Sequence, residues 1–101
     1  MIIVLGEINA DAKAIEAARP ALVKMQNETR KEPGCISYGF SIDVGNASCI
    51  IIAERWKSMD DLNAHMKTPH MAEFGKAVGS INPTGMSIKA YESAGEVKLP
   101  L

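Results

Sequence analysis

The residues able to do chemistry are concentrated between Glu54 and Phe74, a run that contains Glu54, Trp56, His65 and His70. His65 and His70 are the only side chains whose unperturbed pKa lies near neutrality, which makes them the candidates for a general base. Tyr38 and Trp56 each join a hydrogen-bond donor to an aromatic body, so each can stack on a ring and donate to an oxygen. Met66, Met71 and Phe74 supply an apolar wall. Each residue also has a structural alternative. His65 can be a half-buried helix residue bonded to a carbonyl, His70 a first-turn residue, Tyr38 and Trp56 core aromatics, and the methionines plain filling. Glu54 needs a partner if it is buried. Arg55 alternates to the opposite face, so the partner is sought in a Lys or Arg elsewhere, a second subunit or a histidine.

These residues must be positioned by few elements. With 101 residues, one hydrophobic core is expected. The 1–9 run is apolar and β-branched and reads as a strand, closed by a helix cap at Asn9 or Asp11. Ile15, Ala18, Leu22, Met25 and Thr29 then recur at helical spacing. Pro20 falls inside that helix and predicts a kink or break, and Pro33-Gly34 ends it. Cys35 to Ile42 alternates large and small residues as a second strand. A turn at Val44-Gly45-Asn46-Ala47 is predicted to use positive φ at Gly and Asn. Ser48 to Trp56 is a third strand, apolar at nearly every position. Ser58 with Asp61 and Thr68-Pro69 are two helix starts, predicting two short helices rather than one. Met86 to Glu92 is a final strand. The order strand, helix, strand, strand, helix, strand gives an α+β, ferredoxin-like βαββαβ fold: a four-stranded antiparallel sheet with helices on one face, over residues 1–93, followed by a 94–101 tail. The other face of the sheet calls for a cover, most simply a second copy of the chain.

Composition narrows the function classes. A formal charge of -1 without blocks of like sign gives no support to a nucleic-acid or membrane-surface role. The apolar start Met1-Ile2-Ile3-Val4-Leu5 is too short for a signal peptide, and no stretch approaches the roughly 18 residues of a membrane span, which predicts a cytoplasmic protein. Cys35 and Cys49 fall on the order of 20 Å apart in the predicted hairpin, too far for a disulfide. Metal binding is argued down because His65 and His70 are five positions apart and no carboxylate or cysteine is seen to complete a set.

Glu32-Pro33-Gly34-Cys35 with Tyr38, then Glu54-Arg55-Trp56, Leu62, His65, Thr68-Pro69-His70 and Phe74, resembles the antibiotic biosynthesis monooxygenase family, small dimeric ferredoxin-like proteins that include quinol monooxygenases. The resemblance spans about residues 1–93. It implies a dimeric α+β barrel, joined through the sheet face, that oxidises a small quinol or polyphenol with O₂ and uses neither metal nor flavin. His65 or His70 would be the base, and Tyr38, Glu54, Trp56, Met66, Met71 and Phe74 would line the substrate site. The family's haem-ligating position falls at or beside Gly75, which cannot bind iron. The alternatives are a cofactor-free isomerase or tautomerase with the same base, and a non-catalytic dimer that binds a small molecule.

Overall fold

A computed structural model of residues 1–101 shows β1 (Ile2–Asn9), α1 (Ala12–Arg30), β2 (Cys35–Asp43), β3 (Asn46–Trp56), α2 (Met59–His65), α3 (Pro69–Ser80) and β4 (Gly85–Glu92). The strands pair antiparallel in the order β2-β3-β1-β4, so the two consecutive halves interlock and β1 lies at the centre beside β3. This is the ferredoxin-like arrangement expected from the order of elements.

Alternation decides which side chains reach the core. Ile2, Val4 and Ile8 of β1 and Ile50, Ile52, Glu54 and Trp56 of β3 face the helices and are buried. Leu5, Glu7, Ala53 and Arg55 alternate to the opposite, exposed face, where Arg55 Nε donates to Ser37 Oγ at 2.8 Å. The inner face meets Ile15, Ala18, Leu22, Met25 and Thr29 of α1, the same five residues that define its apolar stripe. β4 is different: Met86 and Ile88 alternate toward the helix side yet remain exposed, because this strand lies at the sheet edge farthest from β2.

Local signals explain most element ends. Asp11 caps α1 by accepting from the Lys13 and Ala14 amides, Ser58 caps α2 through the Asp61 amide, and Thr68 caps α3 through the Met71 amide. Asn82 takes φ 49° just past α3, the left-handed conformation that closes many helices and that Asn tolerates. The break between α2 and α3 follows from Thr68-Pro69, as predicted.

Two expectations are corrected. α1 continues through Pro20 without interruption. The proline lies on the exposed face and deletes one amide donor, while buried residues on both sides of it hold the helix to the sheet. In the β2–β3 hairpin, neither Gly45 nor Asn46 adopts positive φ. The turn is Val44-Gly45, and side chains stabilise it: Asp43 Oδ2 accepts from the Gly45 amide and Asn46 Oδ1 from the Ser48 amide.

α1 also covers the β2 edge. Gln26 Oε1 accepts from the Phe40 amide at 2.7 Å and Arg30 Nε donates to the Tyr38 carbonyl at 2.8 Å, so backbone groups of an edge strand are paired by helix side chains. A bulge at Ile36 then shifts the β2 register, pairing Cys35 with Trp56 and Ser37 with Arg55. Ile36 is turned out and Tyr38 into the core.

Gly34 joins the α1–β2 loop to α2. Its carbonyl accepts from the Lys57 amide, and a Cβ there would collide with the Asp61 side chain. Gly34→Ala should displace Asp61, break the Ser58–Asp61 cap and lower stability by about 1–2 kcal/mol. Urea denaturation of G34A, D61G and the double variant checks this, since removal of the whole colliding side chain, Cβ included, in G34A/D61G should make the two losses clearly less than additive.

Candidate active site

The fold brings the ends of three segments together. Glu32 stands in the loop after α1, His65 is the last residue of α2, and His70 is in the first turn of α3. His65 Nδ1 lies 2.7 Å from Glu32 Oε2, and His70 Nε2 lies 2.9 Å from the same oxygen. An ionised carboxylate can only accept, so both ring nitrogens donate. For neutral His65 this fixes the tautomer: hydrogen on Nδ1, lone pair on Nε2. The ring is 2% exposed and lies against Trp56 and Tyr38, with centroid separations of 4.7 and 5.5 Å. Its orientation is thus set by packing on the faces and by Glu32 at one edge.

His65 also borders a cavity of about 390 Å³ between the helices and the sheet, within the usual range for small-molecule sites. Tyr38, Glu54, Met66, Met71 and Phe74 line it as well, together with Ile52, Met59, Leu62 and, from the uncovered strand, Ile88 and Ala90. Of the eight residues singled out from sequence, six meet around this space. His70 and Trp56 do not line it. His70 reaches Glu32 instead. Trp56 is fully buried and its indole N–H donates to Glu54 Oε1 at 2.8 Å.

That bond answers the question of how Glu54 is accommodated. Its hydrogen-bond partner within the chain is the indole two positions along the same strand, on the same face. Burial pushes the Glu54 carboxyl above the usual carboxylate range. The Trp56 hydrogen bond and the nearby His65 oppose this, and Glu32 adds to it. Burial, then the charge of Glu54, holds the Tyr38 phenol far above its ordinary value. Tyr38 is therefore a donor at every working pH and never a base. Cys35 is also pushed up, by burial and then by Glu32 and Glu54, which argues against a reactive thiol. Both cysteines are free.

The expectation that no carboxylate completes a metal-ligand set is overturned. Glu32 Oε2, His65 Nδ1 and His70 Nε2 lie within 4.8 Å of one another. The spacing of five misled because the two histidines belong to different helices. Glu32 was visible within Glu32-Pro33-Gly34-Cys35, but its role depends on a contact across 33 residues, for which the sequence carries no local sign.

Because burial raises the Glu54 pKa, ionisation of Glu54 opposes folding, and its contribution is lost as pH rises through the folded pKa. Glu54→Gln keeps an acceptor for Trp56 and removes that penalty. It should raise the melting temperature at pH 7 by about 2–4 °C, with the gain shrinking as pH falls through the ordinary carboxylate range. Melting curves of both proteins across pH 4–8 check the sign.

Residues 1–77 match the family model for antibiotic biosynthesis monooxygenase. The chain is 33% identical over 66 residues to the uncharacterized protein sll1783 of Synechocystis, an alignment covering 65% of this chain but only 45% of that protein. It is 30% identical over 71 residues to the Escherichia coli protein named "Probable quinol monooxygenase YgiN", covering 62% of this chain and 68% of that one. A crystal structure from Deinococcus radiodurans, ascribed to an antibiotic biosynthesis monooxygenase, superimposes with a TM-score of 0.90 at 28% identity over 98% of both chains. With the family model matched over residues 1–77 and the fold in agreement, the chain belongs to the antibiotic biosynthesis monooxygenase family.

Proposed function

We propose that the protein is a cofactor-independent monooxygenase that oxidises a small quinol, polyphenol or similarly enolisable aromatic with O₂ in the His65 cavity. The observation that carries this is the pairing of His65 Nδ1 with Glu32, which leaves Nε2 as the basic nitrogen of a ring bordering an apolar cavity. A substrate hydroxyl placed there gives its proton to Nε2, and the Tyr38 hydroxyl donates to the oxyanion that forms. The electron-rich anion is itself the reductant for O₂. One oxygen atom enters the ring and the other leaves as water, so hydroquinone plus O₂ gives a hydroxylated quinone plus water with no outside electron donor. The name of the Escherichia coli relative supports the quinol class. Met66, Met71 and Phe74 give the site an apolar lining, which strengthens each hydrogen bond to the anion.

Oxygen uptake over a quinol panel tests this. The native protein should consume O₂ with at least one substrate, and His65→Ala should lower kcat by about 10²–10⁴-fold. Glu32→Gln should lower kcat more than it raises KM, because it releases the base and not the substrate. No uptake with any quinol would remove the proposal. Substrate conversion without O₂ uptake would favour an isomerase or tautomerase built on the same base, and binding without turnover a non-catalytic role.

The outer sheet face of the β1–β3 ladder pairs Leu5 with Ala53, flanked by Ile3 opposite Arg55 and Ile51 opposite Glu7, with Leu5 51% exposed. A second copy covering this face would form a dimeric α+β barrel, and the free cysteines suit a reducing cytoplasm. Light scattering should give twice the chain mass for the native protein and the single chain mass for Leu5→Glu. A monomeric native protein would refute the dimer.

A further inference from the structure

Proton abstraction from a substrate needs one oriented base, but two imidazoles converge on Glu32. His70 does not border the cavity, and its Nε2 points at the same carboxylate oxygen as His65 Nδ1. Three donor atoms from three separate segments, two imidazole nitrogens and one carboxylate oxygen, thus face one another within 4.8 Å. This is a donor set that zinc and similar first-row divalent ions take, with three protein ligands and one position left for water.

We propose that Glu32 Oε2, His65 Nδ1 and His70 Nε2 form a site for a zinc-type divalent ion, and that occupation of the site switches off the base. Zinc bonds of about 2.0–2.2 Å in tetrahedral geometry place ligand atoms roughly 3.3 Å apart. The two carboxylate–imidazole separations are 2.7 and 2.9 Å, so the carboxylate retreats by about half an ångström while His70, whose Nε2 lies within 4.8 Å of His65 Nδ1, swings to the bonding separation. Glu32 can do so: its side chain is 15% exposed, and its hydrogen bonds are those to the two histidines. His65 is the fixed member, clamped against Trp56. The ion enters from the side of Glu32 and His70, both partly open to solvent, and does not pass through the substrate cavity.

The effect on the base follows from the tautomer. A neutral imidazole that binds a metal through Nδ1 carries its hydrogen on Nε2. The proton relocates from one ring nitrogen to the other, and the cavity-facing nitrogen changes from acceptor to donor. A substrate hydroxyl then meets an N–H where it met a lone pair. Inhibition should accordingly leave the cavity open to ligand.

The switching half rests on the base role proposed above; the binding half does not, and the two are measured separately. Tag-free protein is titrated with Zn²⁺ by calorimetry and with Co²⁺ by visible absorption. One ion per chain should bind the native protein, and His70→Ala and Glu32→Ala should each weaken binding at least about tenfold. His70→Asn serves if His70→Ala fails to fold by circular dichroism. In oxygen-uptake assays, saturating Zn²⁺ should suppress native turnover more than tenfold, with substrate binding retained. The ratio of rates with and without Zn²⁺ should stay near one in the His70 variant, whatever its absolute rate. Absence of stoichiometric binding, or binding that survives both substitutions, would overturn the site. Full turnover by zinc-loaded native protein would overturn the switch.

Discussion

One carboxylate oxygen ties the site together. Glu32 Oε2 accepts from rings on two different helices, and those two hydrogen bonds hold the end of α2, the start of α3 and the loop after α1 in one place. A partly buried carboxylate with two N–H donors is well compensated, whereas either histidine alone in that position would leave an unpaired polar group. The constraint is mutual: Glu32 sets the tautomer of neutral His65, and the two histidines fix the position of the Glu32 carboxylate. Gly34, close behind Glu32, lets the loop pack against Asp61 at the start of α2, so the helix that carries His65 is docked at both ends.

Below this cluster the sheet supplies a second, opposing electrostatic arrangement. Glu54, Trp56 and Tyr38 share the inner face, with Glu54 and Trp56 joined by one hydrogen bond and Tyr38 paired with Glu54 across the β2–β3 ladder. Burial raises both Glu54 and Tyr38, so the cavity floor disfavours the charged form of each, while His65 borders the same cavity. The bulge at Ile36 is what delivers Tyr38 to this face, and Gln26 and Arg30 hold the strand there from outside.

Much of this was legible in the sequence because it depends on local or periodic signals. The stripe Ile15, Ala18, Leu22, Met25 and Thr29 is buried as its spacing requires, and Thr68-Pro69 divides the second helical region. Six of the singled-out residues meet around one cavity because strand alternation and helix periodicity already place them on facing surfaces. The misses are non-local or compensated. Pro20 does not break α1 because packing on both sides outweighs one lost hydrogen bond. The turn at Val44-Gly45 is held by neighbouring side chains, not by unusual backbone angles. Glu32 acquires its role only when the chain returns 33 and 38 residues later, and no periodicity encodes that meeting.

Glu32 holds neutral His65 with its hydrogen on Nδ1, leaving the lone pair on Nε2. Long-range ¹H–¹⁵N correlation spectra of metal-free protein with ¹⁵N-labelled histidine read this directly. The structure predicts a protonated, pyrrole-type Nδ1 and a pyridine-type Nε2 for His65, with the preference lost in Glu32→Gln. A neutral His65 that carries its hydrogen on Nε2 in the native protein would refute this tautomer and the base role built on it.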